Sequence, residues 1–307
     1  MQDLLNLRFV TVVGKGGVGK TTASAALALA AARQGKRVLI AMCNAKERLS
    51  ELLGVAPIGP YNQNILPNID AVNMVPQVAL AEYGMMVLKV RAIYRAIFEN
   101  RLVAAFLRGT PGIEAWSMLG KAQFHAHEEL HGRPRYDMVI LDSPATGHGL
   151  EMLRVPRVLI DVAPPGLLRR EAERAWELFS DARRAGVLLV TLAEEMPVSE
   201  SAELYTALVQ ELHLPVCCVA VNGVLPRLFD ADQAEAVLQA ANALAEDALP
   251  RTLFVAGRRR VLRERVQAES IARLTATVPL RQIMMPQIMT GELRRAGLET
   301  LSQSFGP

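Results

Sequence analysis

Cysteine is scarce: Cys43, Cys217 and Cys218 are the only three in 307 residues. That is too few for a disulfide framework, and the adjacent pair lacks the Cys-x-x-Cys spacing of a structural zinc site. A reducing, cytoplasmic setting is expected. An excess of either charge is also missing, since 34 Lys and Arg against 31 Asp and Glu leave a formal net charge of +3. Nucleic acid is therefore not an expected partner. The densest basic block, Arg258, Arg259, Arg260, Arg263 and Arg265, reads as a solvated helix face with at most a local phosphate or lipid contact. Long hydrophobic runs are absent as well. The apolar stretch Ala23 to Ala32 is too short to cross a bilayer, and Met1 to Arg8 has no signal-peptide architecture, so membrane contact is expected to be peripheral at most. No internal repeat, low-complexity tract or Gly/Ser/Pro linker divides the chain. Residues 1–307 read as a single domain.

What is present is ample core material, with 51% hydrophobic and 21% charged residues. Leu7 to Val13 is a β-branched run that stops at Gly14, and the Ala- and Leu-rich segment Lys20 to Arg33 follows. This predicts strand, glycine loop and helix. Further strands are predicted at Val38–Met42, Ile69–Val75, Met138–Leu141, Val187–Leu192, Val216–Asn222 and Thr252–Val255, with helices at Val198–His213 and Asp230–Ala248. Strands alternating with helices imply an α/β fold, a doubly wound and mostly parallel sheet. Two stretches, about 77–131 and 148–185, are too long for a minimal alternation and read as an inserted helical subdomain over one edge of the sheet.

Gly14-Lys15-Gly16-Gly17-Val18-Gly19-Lys20-Thr21 has the spacing of a Walker A phosphate loop, in the strand-to-helix context that the motif requires. Its glycines let backbone N–H groups and the helix N-terminus face an anion. Gly14, Gly16, Gly17, Val18, Gly19, Lys20, Thr21 and Thr22 are thus candidates to hold ATP, with Lys20 on the β and γ phosphates and the Thr21 hydroxyl on Mg²⁺. Asp142 closes the predicted strand Met138–Leu141. It is placed to hold Mg²⁺ through water, and the small residues after it suit a loop that senses the γ-phosphate.

Lys-Gly-Gly-Val-Gly-Lys-Thr-Thr resembles the deviant Walker A loop of the class containing partition and Min-type ATPases, nitrogenase iron protein and arsenite-pump ATPases. The resemblance implies that Lys15 reaches across a dimer interface to the partner's nucleotide. Asp142-Ser143-Pro144-Ala145-Thr146-Gly147-His148 is similar to the Asp-Thr-Ala-Pro-Thr-Gly-His switch of the arsenite-pump and tail-anchored-protein-targeting ATPase family. Met196-Pro197-Val198-Ser199-Glu200-Ser201 and Val221-Asn222-Gly223 match that family in place and order, and by this likeness Asn222 contacts adenine. After the second strand the family carries an aspartate that orients the attacking water, whereas this sequence has Asn44. An amide carries no charge and accepts no proton at neutral pH, so slow hydrolysis is expected. Glu47 one turn further on, or an intact partner subunit, would be a substitute. The cysteine zinc site of the eukaryotic targeting ATPases and the metalloid-binding cysteine set of the pumps are both missing.

Other constellations compete. His127-Glu128-Glu129-Leu130-His131 spells the H-E-x-x-H of zinc proteases, against which stands a plain polar helix end at Gly132. The apolar residues of Met85 to Leu107 fit either a client groove or core. The expectation is a Mg-ATP-binding dimer, homodimeric or paired with a related ATPase, that gates a protein or hydrophobic-segment client. Alternatives are a partition or Min-type positioning ATPase, or an ATP-binding subunit that does not hydrolyse.

Overall fold

The computed structural model describes residues 4–43, 45–88, 112–144, 146–243, 251–289 and 293–306. Met85 to Leu88 of the apolar stripe lie within these, and the rest of it, residues 89–107, lies outside them.

The central elements follow the predicted alternation. β1 (Phe9–Val13) leads through the glycine loop to α1 (Lys20–Arg33), then β2 (Val38–Cys43), α2 (Leu49–Leu53), β3 (Gln63–Leu66) and β4 (Ile69–Met74). Helices α3 (Pro76–Leu88) and α4 (Ile113–His127) precede a small hairpin of β5 (Glu129–Leu130) and β6 (Arg133–Pro134). Then come β7 (Met138–Asp142), α5 (Thr146–Val162), α6 (Leu167–Ser180), β8 (Ala185–Leu192), α7 (Glu195–Thr206) and β9 (Val216–Val224). The chain ends with α8 (Ala231–Ala243), α9 (Arg251–Thr277), β10 (Arg281–Pro286) and α10 (Arg295–Ser302). Eight strands form one sheet in the order β10-β9-β8-β1-β7-β2-β4-β3. Among the described residues, only the β3–β4 edge pair of this sheet is antiparallel. β1, β2 and β7 are buried at every position, as expected of strands covered on both faces.

Two apolar layers cover the sheet. One face packs against α1, α2 and α10, with Leu298 and Leu301 of α10 fully covered, so the amphipathic C-terminal helix spends its apolar side on α1. α1 achieves close contact with both neighbours through its small side chains, and Ala23 to Ala31 are all buried. The other face takes α4, α5, α6, α7 and the end of α9. The described helices of the two long stretches thus lie on the face of the sheet rather than over its edge. Trp116 of α4 is 1% exposed and meets Tyr83 of α3 edge to face at 5.9 Å, and Phe179 of α6 stands 5.1 Å from Phe9 of β1.

One expected strand is corrected, and the weaker of the two readings of residues 127–131 loses its basis. Thr252–Val255 is not a strand but the opening of α9, and the last strand is β10. So short a run cannot distinguish strand from helix, and Gly257, which punctuates the sequence just after it, is carried inside the long helix. β10 carries little signal in the sequence, because exposed Met284 is as apolar as the buried Ile283 and Met285 on either side of it and hides the alternation of an edge strand. The zinc-protease pattern also dissolves. α4 ends at His127, Glu128 is extended, and His131 and Gly132 take left-handed φ of 54° and 73° in the hairpin turn, so the two histidines share no helical face. Among the described residues no group of three or more His, Cys, Asp and Glu side chains could hold a metal ion, and no helix is long and apolar enough to cross a membrane.

Candidate functional site

The carboxyl ends of β1, β7, β8 and β9 meet at one end of the sheet, where parallel α/β folds carry their ligands. Between β1 and α1 the loop needs glycine for space as well as φ. A Cβ at Gly14 would lie 2.3 Å from the Val190 carbonyl oxygen of β8, and one at Gly19 would lie 2.1 Å from Nδ2 of Asn222. Gly19 is the N-cap of α1, with φ of 95° and no side chain to cap the first turn. The opening N–H groups of α1 therefore suit an anion. The Lys20 ammonium curls over this loop, donating to the carbonyls of Gly14 (3.1 Å) and Lys15 (3.0 Å). Burial lowers its pKa, and nearby Asp142 works the other way.

β7 sets Asp142 in register with Val12 of β1 and Met42 of β2. The Thr21 hydroxyl donates to Asp142 Oδ2 at 2.6 Å, which joins the two predicted metal residues. Asp142 is 5% exposed, and its Oδ1, like the buried Ser24 hydroxyl oxygen, has no protein partner. Burial pushes the Asp142 carboxyl up to about 6 despite the Thr21 hydrogen bond and the Lys20 charge. A buried carboxylate with a free oxygen, beside a threonine hydroxyl and an anion cradle, has the hard oxygen chemistry that fits Mg²⁺. Ser143 then ties the loop back through a 2.7 Å bond to the Val12 carbonyl, and α5 starts at Thr146.

Lys15 does not join Lys20 over the loop. Its ammonium pairs with Glu200 Oε1 of α7 at 2.6 Å and touches the Met196 sulfur at 3.0 Å. Asn222 Nδ2 donates to the Val18 carbonyl at 2.9 Å, so its amide braces the phosphate loop from the end of β9. Beside it opens a cavity of about 340 Å³, lined by Leu192, Asn222, Leu225, Arg263 and Gln267 among others. That volume lies in the range of small-molecule sites, about 300–1,000 Å³.

Asn44 lies outside the described residues. Its neighbours do not: Asn73 of β4 bonds both the Ala45 N–H (3.1 Å) and the Ala45 carbonyl (3.0 Å). Glu47 is committed elsewhere. Its carboxylate accepts from the Ser50 N–H (2.8 Å) and hydroxyl (2.5 Å), satisfying the start of α2. The structure thereby removes Glu47 as a ready stand-in for a base. Asn73 and Gln267 carry no local motif that marks them, while Glu200 lies in the Met196–Ser201 segment and Arg263 in the basic block without either pattern naming its partner.

A family model described as "Anion-transporting ATPase" matches residues 7–163, from the start of β1 to the end of α5. The chain belongs to the anion-transporting ATPase family. Across 230 residues it is 30% identical to "ATPase BagA" of Mycobacterium tuberculosis, covering 73% of this chain and 67% of that protein. It is 28% identical to an "Arsenical pump-driving ATPase" of Escherichia coli over 74% of this chain and 41% of that protein. With "ATPase GET3" of Kluyveromyces lactis it shares 31% identity over 50% of this chain and 46% of the relative. The phosphate loop and Asp142 fall inside the family match, and Glu200, Asn222 and the cavity lie beyond it.

Proposed function

We propose that this member of the anion-transporting ATPase family binds Mg-ATP at the Gly14 to Thr22 loop and acts as a dimeric, nucleotide-gated switch for a protein or hydrophobic client. The observation that carries the reading is the convergence of Lys20, Thr21 and the buried Asp142 at the uncapped start of α1. The loop N–H groups and Lys20 hold the phosphates, Thr21 and Asp142 hold the metal, and the base rests in the cavity beside Asn222. A bound Mg²⁺ would supply charge neutralisation on the phosphate oxygens. Lys20→Ala removes charge-assisted hydrogen bonds to phosphate worth about 1.5–3 kcal/mol each. ATP titration should therefore show affinity about a hundredfold weaker. Equal affinity in the two proteins would sink the assignment.

The dimer part of the reading uses Lys15. To reach a nucleotide in a second subunit it must leave Glu200, so the intramolecular ion pair competes with closure. Both side chains are about a third exposed, so the competition is modest, about two- to fivefold in the dimer dissociation constant. Light scattering with ATP should show tighter dimers for Glu200→Gln and none for Lys15→Ala. ATP-saturated wild-type protein that stays monomeric at high concentration would refute closure. A client surface is supported by Val158 and Val162 of α5 and Leu167 of α6, which expose apolar side chains on the helical layer.

A further inference from the structure

The wall of the cavity is held by side chains far from it in sequence. After β9 the chain runs through Leu225, Pro226, Arg227 and Leu228 with no regular structure, so no strand or helix ladder pairs its backbone groups. Three side chains on one stripe of α9, spaced four and three residues apart, supply them. Gln267 makes a two-point clamp on Leu225: the Leu225 N–H donates to Gln267 Oε1 at 2.8 Å, and Gln267 Nε2 donates to the Leu225 carbonyl at 3.1 Å. Glu264 Oε1 accepts from the Leu228 N–H at 3.1 Å and from Arg260 Nε at 2.6 Å. Arg260 in turn donates to the Pro226 carbonyl. Arg260 and Glu264 are largely covered, at 18% and 14% side-chain exposure, which makes this a fixed contact rather than a surface pair.

The clamp sits where it has a consequence. Leu225 and Gln267 both line the cavity, and Asn222, three residues before Leu225, braces the phosphate loop. Leu262, Arg263 and Val266, on the same stretch of α9, form the facing wall. The distance between the two walls is thus set by Gln267, Glu264 and Arg260.

We propose that Gln267, Glu264 and Arg260 are positioning residues for the nucleotide base: by holding residues 225–228 against α9 they keep the base slot at a fixed width before nucleotide arrives. The proposal rests on the reading above that the base occupies this cavity. A preformed slot spares binding the cost of ordering a loop, so the clamp contributes to affinity through the base and not through the phosphates.

Magnesium ATP and magnesium tripolyphosphate, which has no base or sugar, separate the two contributions. Gln267→Met keeps the length of the side chain and loses both hydrogen bonds, leaving the Leu225 N–H and carbonyl without partners. The expected result by calorimetric titration is ATP binding about tenfold weaker with tripolyphosphate within about twofold of wild type. Should Gln267→Met fail to fold, Gln267→Glu serves. It keeps the acceptor for the Leu225 N–H and sets a carboxylate against the Leu225 carbonyl, and the same base-dependent loss is expected. If the wild type prefers ATP over tripolyphosphate and the variant keeps that preference, the positioning role is wrong while the base reading stands. Equal loss for both ligands also overturns it, because the clamp would then support the whole site. If wild-type protein binds ATP and tripolyphosphate alike, the cavity does not take the base and the reading beneath the proposal falls.

Discussion

Asn44→Asp is expected to raise the rate of ATP hydrolysis by about a hundred- to ten-thousandfold, the contribution typical of a positioned general base, while ATP affinity changes little. Residue 44 follows directly on β2, whose Met42 is in register with Asp142 of β7 and whose Cys43 is in register with Met74 of β4. Asn73, one residue before Met74, holds Ala45 by two hydrogen bonds, so the connection leaves the strand under restraint. If residue 44 faces the attacking water, as the proposed reading has it, an amide there would orient the water but take no proton. Glu47 does not relieve the deficit, since its carboxylate is bound to Ser50 at the start of α2. Glu47→Ala should therefore lower thermal stability through loss of that cap, by about 1 kcal/mol, and leave turnover per folded enzyme unchanged. Steady-state phosphate release measures both. Equal rates for the wild type and Asn44→Asp would show that the loop or the role assigned to it is wrong.

Asp142→Asn should have two large effects of opposite sign. In the nucleotide-free protein, burial has raised this carboxyl from an ordinary 3.8 to about 6. A group whose folded pKa lies above its unfolded one favours the fold while protonated, and that contribution fades as pH rises from about 4 through 6. At pH 7 to 8 the buried carboxylate is therefore a burden of about 3 kcal/mol at about 1.4 kcal/mol per pH unit. Asparagine removes it. It keeps an oxygen for the Thr21 hydroxyl and offers an N–H to the Ser24 side chain, which also faces this carboxyl. Denaturant melts at pH 7.5 should show the variant more stable, with the difference closing towards pH 4. Magnesium-dependent ATP binding should meanwhile fall by about ten- to a hundredfold, as when a carboxylate supporting a metal is lost. In the wild type the same binding should weaken as pH falls through 6, because the protonated acid no longer attracts the cation. A variant that is less stable at pH 7.5 would mean that the carboxylate is better solvated than its burial implies.

The site was legible where its logic is local. Strand, glycine loop and helix occupy consecutive residues, and the positive φ at Gly14 and Gly19 belongs to the loop itself, although the atoms that leave no room for a Cβ there come from distant Val190 and Asn222. Asp142 could be placed because a parallel strand ends where the loop begins, and its 2.6 Å contact with Thr21 agrees with that placement. What could not be read was pairing across the chain. Lys15 with Glu200 is separated by 185 residues, and Leu225 with Gln267 by 42, and no spacing rule links either pair. Short patterns are the weakest guide. Thr252–Val255 reads as a strand because so short a run carries no period, whereas it opens α9, and the H-E-x-x-H spacing of residues 127–131 has no helix beneath it because the chain turns left-handed at His131.

The alanine-rich packing of α1 has a further consequence, for how tolerance to change should be interpreted. Its residues from 23 to 31 are closed in between the sheet and α10, and the backbones approach because the side chains are small. Adding even one or two methylenes there meets atoms on every side, at about 1–3 kcal/mol. In a survey of every substitution these chemically silent positions would score as badly as the lysines and glycines of the loop they follow. Intolerance along residues 14–31 therefore mixes two causes, and only a measurement of folding alongside activity separates a residue that handles phosphate from one that has no room to grow.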